Sequence, residues 1–358
     1  MGSVKDLKTL KKPSSEEMGL GQFFFSDRYS IFDWGKMPDQ IPNKGAALTI
    51  MGAYCFEQAE NKGIKTHYLG LLGKDGKITN TNDLKEPTET MEVKLVNVIH
   101  PSYKKGMYNY ANFTSDKSNL LIPLEVIYRN GLPSGSSIFR RLKEGKATYQ
   151  QFGLDHYPVP GEELTEPIFD VSTKLESKDR YITWDEAKNI AGLKNLELKE
   201  IKSTLLTVDN LLTDIANNAN LVNEDGKIEL GYDSNRNLIL VDVLGTLDEC
   251  RFTYNGENVS KEVARQFYTD SKWSKDVKYA KLQAELRETK NFQKLCKSKP
   301  GLLDPDLKTI FSQMYTATAN KFINKKLFDV PPLEKVINNY ISWKEYHEEN
   351  NKTSHSKV

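Results

Sequence analysis

The sequence predicts an α+β fold with a helical C-terminal region, and three observations carry that expectation. A pair of strands with alternating chemistry occupies residues 224–243. Just before it, Ile201, Leu205, Val208, Leu212, Ile215 and Ala219 step by three and four, which places one apolar stripe on a long helix. Beyond residue 260 the strand-like patterns stop and only helical stretches remain.

In chain order, Phe23–Phe25 reads as a short apolar strand and Ala46–Asn61 as a helix, with Ile50, Tyr54 and Cys55 at helical spacing. M-E-V-K-L-V-N-V-I at 91–99 is strand-like, and Tyr103–Ser118 is a loop or ragged hairpin without a period. Leu121–Tyr128 is a buried strand that ends in R-N-G-L-P-S-G-S-S, and a helix follows from Ile138. Thr183-Trp-Asp-Glu186 fits a capping box, in which Thr183 accepts the third helical amide and Glu186 reaches back. Ser260 is placed to cap a helix through Val263 and Phe267. Three further helices are expected at 278–296, from Asp304-Pro305, and from Pro332 to Glu349, before a disordered tail at 351–358. This divides the chain into an N-terminal α+β region at 1–100, a central region at 101–260 and a helical region at 261–358.

Composition bounds the function. With 358 residues there is ample chain for a core, and 50 basic against 49 acidic side chains leave a net charge of +1. Such a balance provides no overall field to recruit nucleic acid or a membrane surface. No apolar run approaches the roughly 20 residues of a membrane span. The start M-G-S-V-K-D lacks a signal-peptide core and a myristoylation pattern. Three scattered cysteines argue against a disulfide framework or a thiolate zinc site. A cytoplasmic protein is expected.

The most chemical stretch is E-D-G-K-I-E-L-G at 224–231, followed by the turn Y-D-S-N-R-N and the strand L-I-L-V-D-V. Alternation puts Asp225, Lys227 and Glu229 on one face and Ile228 and Leu230 on the other. With Asn235-Arg236 at the centre of the turn, Glu229 lies opposite Asp242, with Cβ atoms roughly 4.5–5.5 Å apart. Opposed carboxylates repel unless a cation lies between them, and oxygen-only ligands favour magnesium or manganese. A solvated face in which Lys227 bridges its neighbours is the other reading, and a one-residue slip would turn Asp242 away.

Several segments, in order, resemble the SAICAR synthetase (phosphoribosylaminoimidazole-succinocarboxamide synthase) family. S-D-R-Y-S-I-F-D and I-P-N-K-G resemble its T-D-R-I-S-A-F-D and I-P-x-K-G; I-P-L-E-V-I-Y-R-N followed by Gly135-Ser136 resembles P-x-E-x-V-x-R-N and G-S. P-I-F-D-V-S-T-K resembles P-I-F-T-P-S-T-K, with Asp179 at the position of a family Asp. E-D-G-K-I-E-L-G resembles A-D-T-K-F-E-F-G, and D-V-L-G-T-L-D-E-C-R-F fits D-E-V-L-T-P-D-S-S-R-F without a gap.

The resemblance covers about residues 1–270 and implies a two-lobed, ATP-grasp-related fold. The activity it implies is an ATP-dependent ligase that joins carboxyaminoimidazole ribotide (CAIR) to L-aspartate, with ATP and Mg2+. It implies Glu229 and Asp242 as metal ligands, and Lys227, Asp225 and Lys174 as catalytic residues. Arg129, Asn130, Gly135, Ser136, Asp179, Arg251 and Arg265 would bind substrate, and Lys5, Lys94 and Glu125 would bind ATP. Small molecules, not nucleic acid or membrane, are the implied partners, and the extra C-terminal helices are open to lobe packing or self-association.

The chain departs from the family pattern at positions that bear on the site. Ser3 replaces a lysine of the opening G-K-V-R-D, Val243 a glutamate, Cys250 a serine and Lys178 a histidine. These departures leave two alternatives open, a divergent ATP-dependent kinase or a non-catalytic nucleotide-binding protein of the same fold.

Overall fold

The computed structural model describes residues 4–287, 289 and 291–355, with side chains as far as residue 348; Ser3 and residues 356–358 lie outside the described residues. Two antiparallel sheets organise the chain. The first contains β1 (Lys5–Lys11), β2 (Gly19–Phe25), β3 (Tyr68–Leu72), β4 (Ile78–Thr79) and β5 (Thr90–Leu95), in the spatial order β1-β2-β5-β3-β4. Helix α1 (Lys44–Asn61) packs on β2, β3 and β5. A hairpin of β6 (Ser102–Lys104) and β7 (Met107–Asn109) occupies the region read as loop or ragged hairpin.

The second sheet contains β8 (Leu120–Leu132), β9 (Glu162–Thr173), β10 (Val222–Tyr232), β11 (Leu238–Val241), β12 (Cys250–Tyr254) and β13 (Glu257–Asn258). Its order is β13-β12-β10-β8-β9, with β11 paired to β10. The helices among and after these strands are α2 (Ser137–Lys143), α3 (Trp184–Ile190), α4 (Asn195–Asn218), α5 (Glu262–Thr269), α6 (Lys272–Leu286), α7 (Pro305–Phe322) and α8 (Leu333–His355).

Helix α4 shows why the second sheet has two unlike faces. Ile201, Leu205, Val208, Leu212 and Ile215 are all buried, and the helix packs on β8 and β10. Burying each such side chain contributes roughly 1.5–3 kcal/mol, so one face of the sheet is committed to core. Val126 and Tyr128 of β8 and Ile228 and Leu230 of β10 belong to the same core. The opposite face is left for the charged half of each alternation.

Backbone pairing joins the two sheets. The His67 amide donates to the Leu240 carbonyl at 2.9 Å, beside a parallel bridge between Thr66 and Leu240, and Asn97 bridges Leu120. A cavity of about 450 Å³ lies at this seam, lined by Met18, Lys65, Thr66, Lys94, Asp233 and Ile239 among others.

The capping signals hold in part. Thr183 accepts the Glu186 amide at 3.1 Å, but the Glu186 carboxylate pairs with Arg180 at 2.6 Å. Asp304 accepts the amides of Asp306 and Leu307 and opens α7 as expected. The helix expected at 278–296 instead starts at Lys272, because Ser271 accepts the Ser274 amide, and it ends at Leu286 before a separate 3-10 turn at Phe292–Leu295. The tail expected to be disordered continues α8 as far as His355.

Candidate active site

The central hairpin forms, but its register differs by one residue from the expected one. Glu229 pairs with Val241, Leu230 with Leu240 and Tyr232 with Leu238. The loop is the cause. Asp233 donates its amide to the Asn237 carbonyl at 2.9 Å, and its carboxylate accepts the amides of Asn235 and Asn237. This closes a three-residue loop that ends on Arg236 with φ 59°, a common hairpin geometry that shifts pairing by one relative to a two-residue turn. Asp242 nevertheless stays beside Glu229, because it is the first residue past β11 and takes φ 68°. A left-handed residue breaks the alternation, and aspartate tolerates that conformation better than most.

Pairing across the sheet assembles the charged face. Asp225 lies opposite both Arg129 of β8 and Arg251 of β12, and Glu229 lies opposite Glu125 of β8. Glu125 in turn lies opposite Ser172 of β9, and Ile127 opposite Asp170. Directly opposed residues share a face, so Asp225, Lys227, Glu229, Arg129, Glu125, Arg251 and Asp170 form one lattice. The other face of β10 carries Gly226, where a Cβ would lie 2.4 Å from the Tyr128 hydroxyl and 2.8 Å from Cys250 Sγ. Tyr128 and Cys250 therefore fill the space that a side chain would need. The departure at Cys250 is a core thiol, pushed by burial up to about 12, and the departure at Val243 is buried against α1 near Gly52.

The lattice has two zones. In the first, Arg129 is only 2% exposed and lies 3.3 Å from Asp225, 3.4 Å from Asp170 and 3.0 Å from the Ser137 hydroxyl. Arg251 Nε donates to Asp225 at 2.8 Å, and Arg141 pairs with Asp170. The Ser136 hydroxyl is 3.5 Å from Arg129, and Arg129 Nε finds no partner among the described residues. Gly135 sits against Arg251 and Glu262, and Glu262 pairs with Arg265. Arg265 therefore stands at the rim of this zone.

In the second zone, Lys227 lies 2.8 Å from Glu125 and 3.2 Å from Glu249. Lys174 pairs with Glu229 and lies 3.6 Å from Glu125, while Lys5 pairs with Asp242 and rests 4.7 Å from the centre of the Phe23 ring. Burial would discharge Lys227 and Lys174, but Glu249, Glu125 and Glu229 hold the first well above the ordinary lysine value, and Glu229, Asp242 and Glu125 raise the second. Burial, and then Asp242, push Glu229 upward; Asp242 is held low by Lys5 and Lys174 against its own burial. Asp179 is raised to about 6 by desolvation and by Glu125.

Two expected site residues fall elsewhere. Asn130 points to the α4 side of β8, where it donates to Asp209 at 2.7 Å and to the Asn223 carbonyl at 3.1 Å. Strand alternation separates it from Arg129, so it belongs to a buried polar network. Lys94 is exposed and lines the seam cavity, apart from the ion pairs around Glu229. Glu125, assigned from sequence to the nucleotide side, sits instead among the lysines of the second zone. Lys178 pairs with Glu285 at 3.0 Å on the surface.

Sequence reading missed Glu249. Its signal was present, because it stands against the first serine of D-E-V-L-T-P-D-S-S-R-F and two residues before Arg251. The role of Lys44 was also missed. It is fully buried, 2.7 Å from Asp248, which accepts from Tyr315 of α7 at 2.6 Å.

A sequence model of the SAICAR synthetase family matches residues 14–280. A protein from Archaeoglobus fulgidus provisionally named phosphoribosylaminoimidazole-succinocarboxamide synthase is 45% identical over 337 residues, covering 94% of this chain and 98% of that one. Phosphoribosylaminoimidazole-succinocarboxamide synthase of Thermoplasma volcanium is 33% identical over 266 residues, covering 72% and 81%. Among solved structures, SAICAR synthase from Saccharomyces cerevisiae complexed with SAICAR matches with a TM-score of 0.60 at 22% identity, over 91% of this chain and 94% of that one. A SAICAR synthetase in complex with ADP matches with a TM-score of 0.54 at 22% identity, over 84% and 99%. At these identities the solved structures speak for the fold.

Proposed function

The chain belongs to the SAICAR synthetase family, and we propose that it joins CAIR to L-aspartate with ATP, forming SAICAR, ADP and phosphate in purine biosynthesis. The observation that carries this reading beyond homology is the single sheet face on which lysines and carboxylates alternate beside the buried Arg129 and the half-buried Arg251. A carboxylate does not react with an amine until one of its oxygens becomes a leaving group. Transfer of the γ-phosphoryl group of ATP to the CAIR carboxylate supplies one. The aspartate amine, having lost a proton, then attacks the acyl carbon, an amide forms, and phosphate leaves.

Lys227 and Lys174 are held charged by neighbouring carboxylates. That supports Lys227 as the cation that neutralises the CAIR carboxylate as it meets the phosphoryl group, with Lys174 beside it. Arg129, Arg251, Ser136 and the loop at Gly135 support an anion site for the ribotide phosphate, with Arg265 at its rim and Asp225 fixing both arginines. Asp179, raised to about 6 beside Glu125, is suited to accept the proton that the aspartate ammonium loses before it attacks. The apolar cluster of Leu121, Ile239 and Val241, packed with Met18 and Val96, supports an adenine site at the seam, with Lys94 lining the neighbouring cavity. Lys5 then stands on the phosphate side.

Glu229 and Asp242 fit a magnesium ion: both are oxygen donors, they repel each other, and each is neutralised only by a lysine. Magnesium takes one or two carboxylates and completes its shell with phosphates and water. When bound, magnesium would offset the crowded negative charge of phosphoryl transfer.

The lobes are read as residues 1–100 and 101–260, with α7 of the helical region from 261 packed on α1 and bonded through Tyr315 to Asp248. No helix among the described residues is long and apolar enough to cross a membrane, and a cytoplasmic enzyme fits its substrates.

ADP release should require both CAIR and L-aspartate; release with CAIR that is indifferent to aspartate would replace the ligase by a kinase. Asp242→Ala should raise the magnesium concentration for half-maximal turnover by roughly tenfold or more. An unchanged magnesium titration would remove Asp242 from the metal shell.

A further inference from the structure

The turn between β11 and β12 carries a carboxylate that the reaction scheme above leaves unused. Glu249 lies 3.2 Å from Lys227 Nζ, and Glu125 of β8 lies 2.8 Å from the same nitrogen. The lysine is therefore held between two carboxylates from different elements. Lys227 has four rotatable bonds, and a single partner would leave its ammonium free to swing; two partners carried by different elements define a direction. Glu249 is ionised, because Lys227, Lys261 and Lys5 outweigh its burial and Asp242.

The turn itself is fixed. Glu249 and Cys250 both donate their amides to the Thr246 carbonyl, at 3.1 and 2.9 Å. The preceding residue, Asp248, points the other way, into Lys44 of α1 at 2.7 Å and Tyr315 of α7 at 2.6 Å. Lys261 closes the remaining side, its amide donating to the Leu247 carbonyl and its ammonium to the Asp248 carbonyl, both at 3.1 Å. Glu249 is thus anchored, through the buried ion pair of its neighbour Asp248, to the two helices α1 and α7.

We infer that Glu249 is a positioning residue for the ligation: it aims the Lys227 ammonium at the reacting carboxylate, and the Asp248 clamp holds it in place to do so. This rests on the role of Lys227 proposed above. A misaimed catalytic group slows the chemical step without weakening substrate binding in proportion.

The test uses the full-length enzyme and steady-state ADP release with CAIR, L-aspartate and ATP. Glu249→Gln, which keeps the shape and removes the charge, should lower kcat by roughly tenfold or more. The KM for each substrate should stay within about twofold and the melting temperature should hold, since only uniform binding contacts move KM alone. Glu249→Asp should recover part of the loss. In a Lys227→Met background, Glu249→Gln should add nothing, because a residue that acts through another has no effect once that other is gone. Three results would overturn the inference. One is wild-type kcat in Glu249→Gln while Lys227→Met is crippled, which spares the role of Lys227. The second is a raised KM with kcat unchanged, which makes Glu249 a ligand contact. The third is an equal loss in both backgrounds, which makes it act alone. Near-normal ligation by Lys227→Met would instead remove the premise.

Discussion

Lys227→Met should ligate about a hundredfold or more slowly than the wild type while remaining folded and still binding ATP. The magnitude follows from removing one preorganised charge beside a reacting group. The fold should persist because methionine keeps most of the stem and the β10 pairings to β8 and β11 do not involve the ammonium. The Lys227 side chain is about one-third exposed, so water can reach the carboxylates of Glu125 and Glu249 once their shared cation is gone. Isothermal titration with ATP and a melting curve separate the two effects. Near-normal ligation would mean that this face is solvent and that the chemistry lies elsewhere.

Arg129→Ala should be the more damaging change for the fold. From sequence alone Arg129 is a ligand contact at the end of a strand, whose loss would raise the KM for CAIR. The structure shows a guanidinium that is 2% exposed and bridges Asp170 and Asp225. Breaking a buried pair leaves charge without compensation, at a cost of roughly 3–5 kcal/mol. The lower end applies here, because Arg141 still serves Asp170 and Arg251 still serves Asp225. A loss of about 3 kcal/mol lowers the melting temperature of a chain this long by roughly 4 °C. CAIR affinity should fall as well, and Arg129→Lys should rescue neither property fully, because an ammonium cannot span both carboxylates and the serine hydroxyls. A raised KM for CAIR with an unchanged melting temperature would reduce Arg129 to a surface contact.

Which hairpin residues share a face was legible from alternation. Asp225, Lys227 and Glu229 share a face because strand geometry has a period of two, and no tertiary information is needed for that. The geometry of the Glu229–Asp242 pair was not. A three-residue loop moved the register by one, and a left-handed Asp242 compensated for it. Both depend on backbone dihedrals that Y-D-S-N-R-N does not spell out.

The long helix, the α7 cap at Asp304 and the helical last third follow from local rules of spacing and capping, and the sequence by itself determined them. It also determined the family, through motifs in a shared order. Tertiary structure alone decided which charges meet. Arg129 and Asn130 are neighbours in the chain yet lie on opposite faces of β8, one between Asp225 and Asp170 and one under α4. Glu125 and Glu249, 124 positions apart by subtraction of their numbers, flank the same lysine. Local preference is a property of a few consecutive residues. The pairing of charges depends on strand order and register, which are settled by burial of the apolar face against α4, and no short stretch of sequence contains that information.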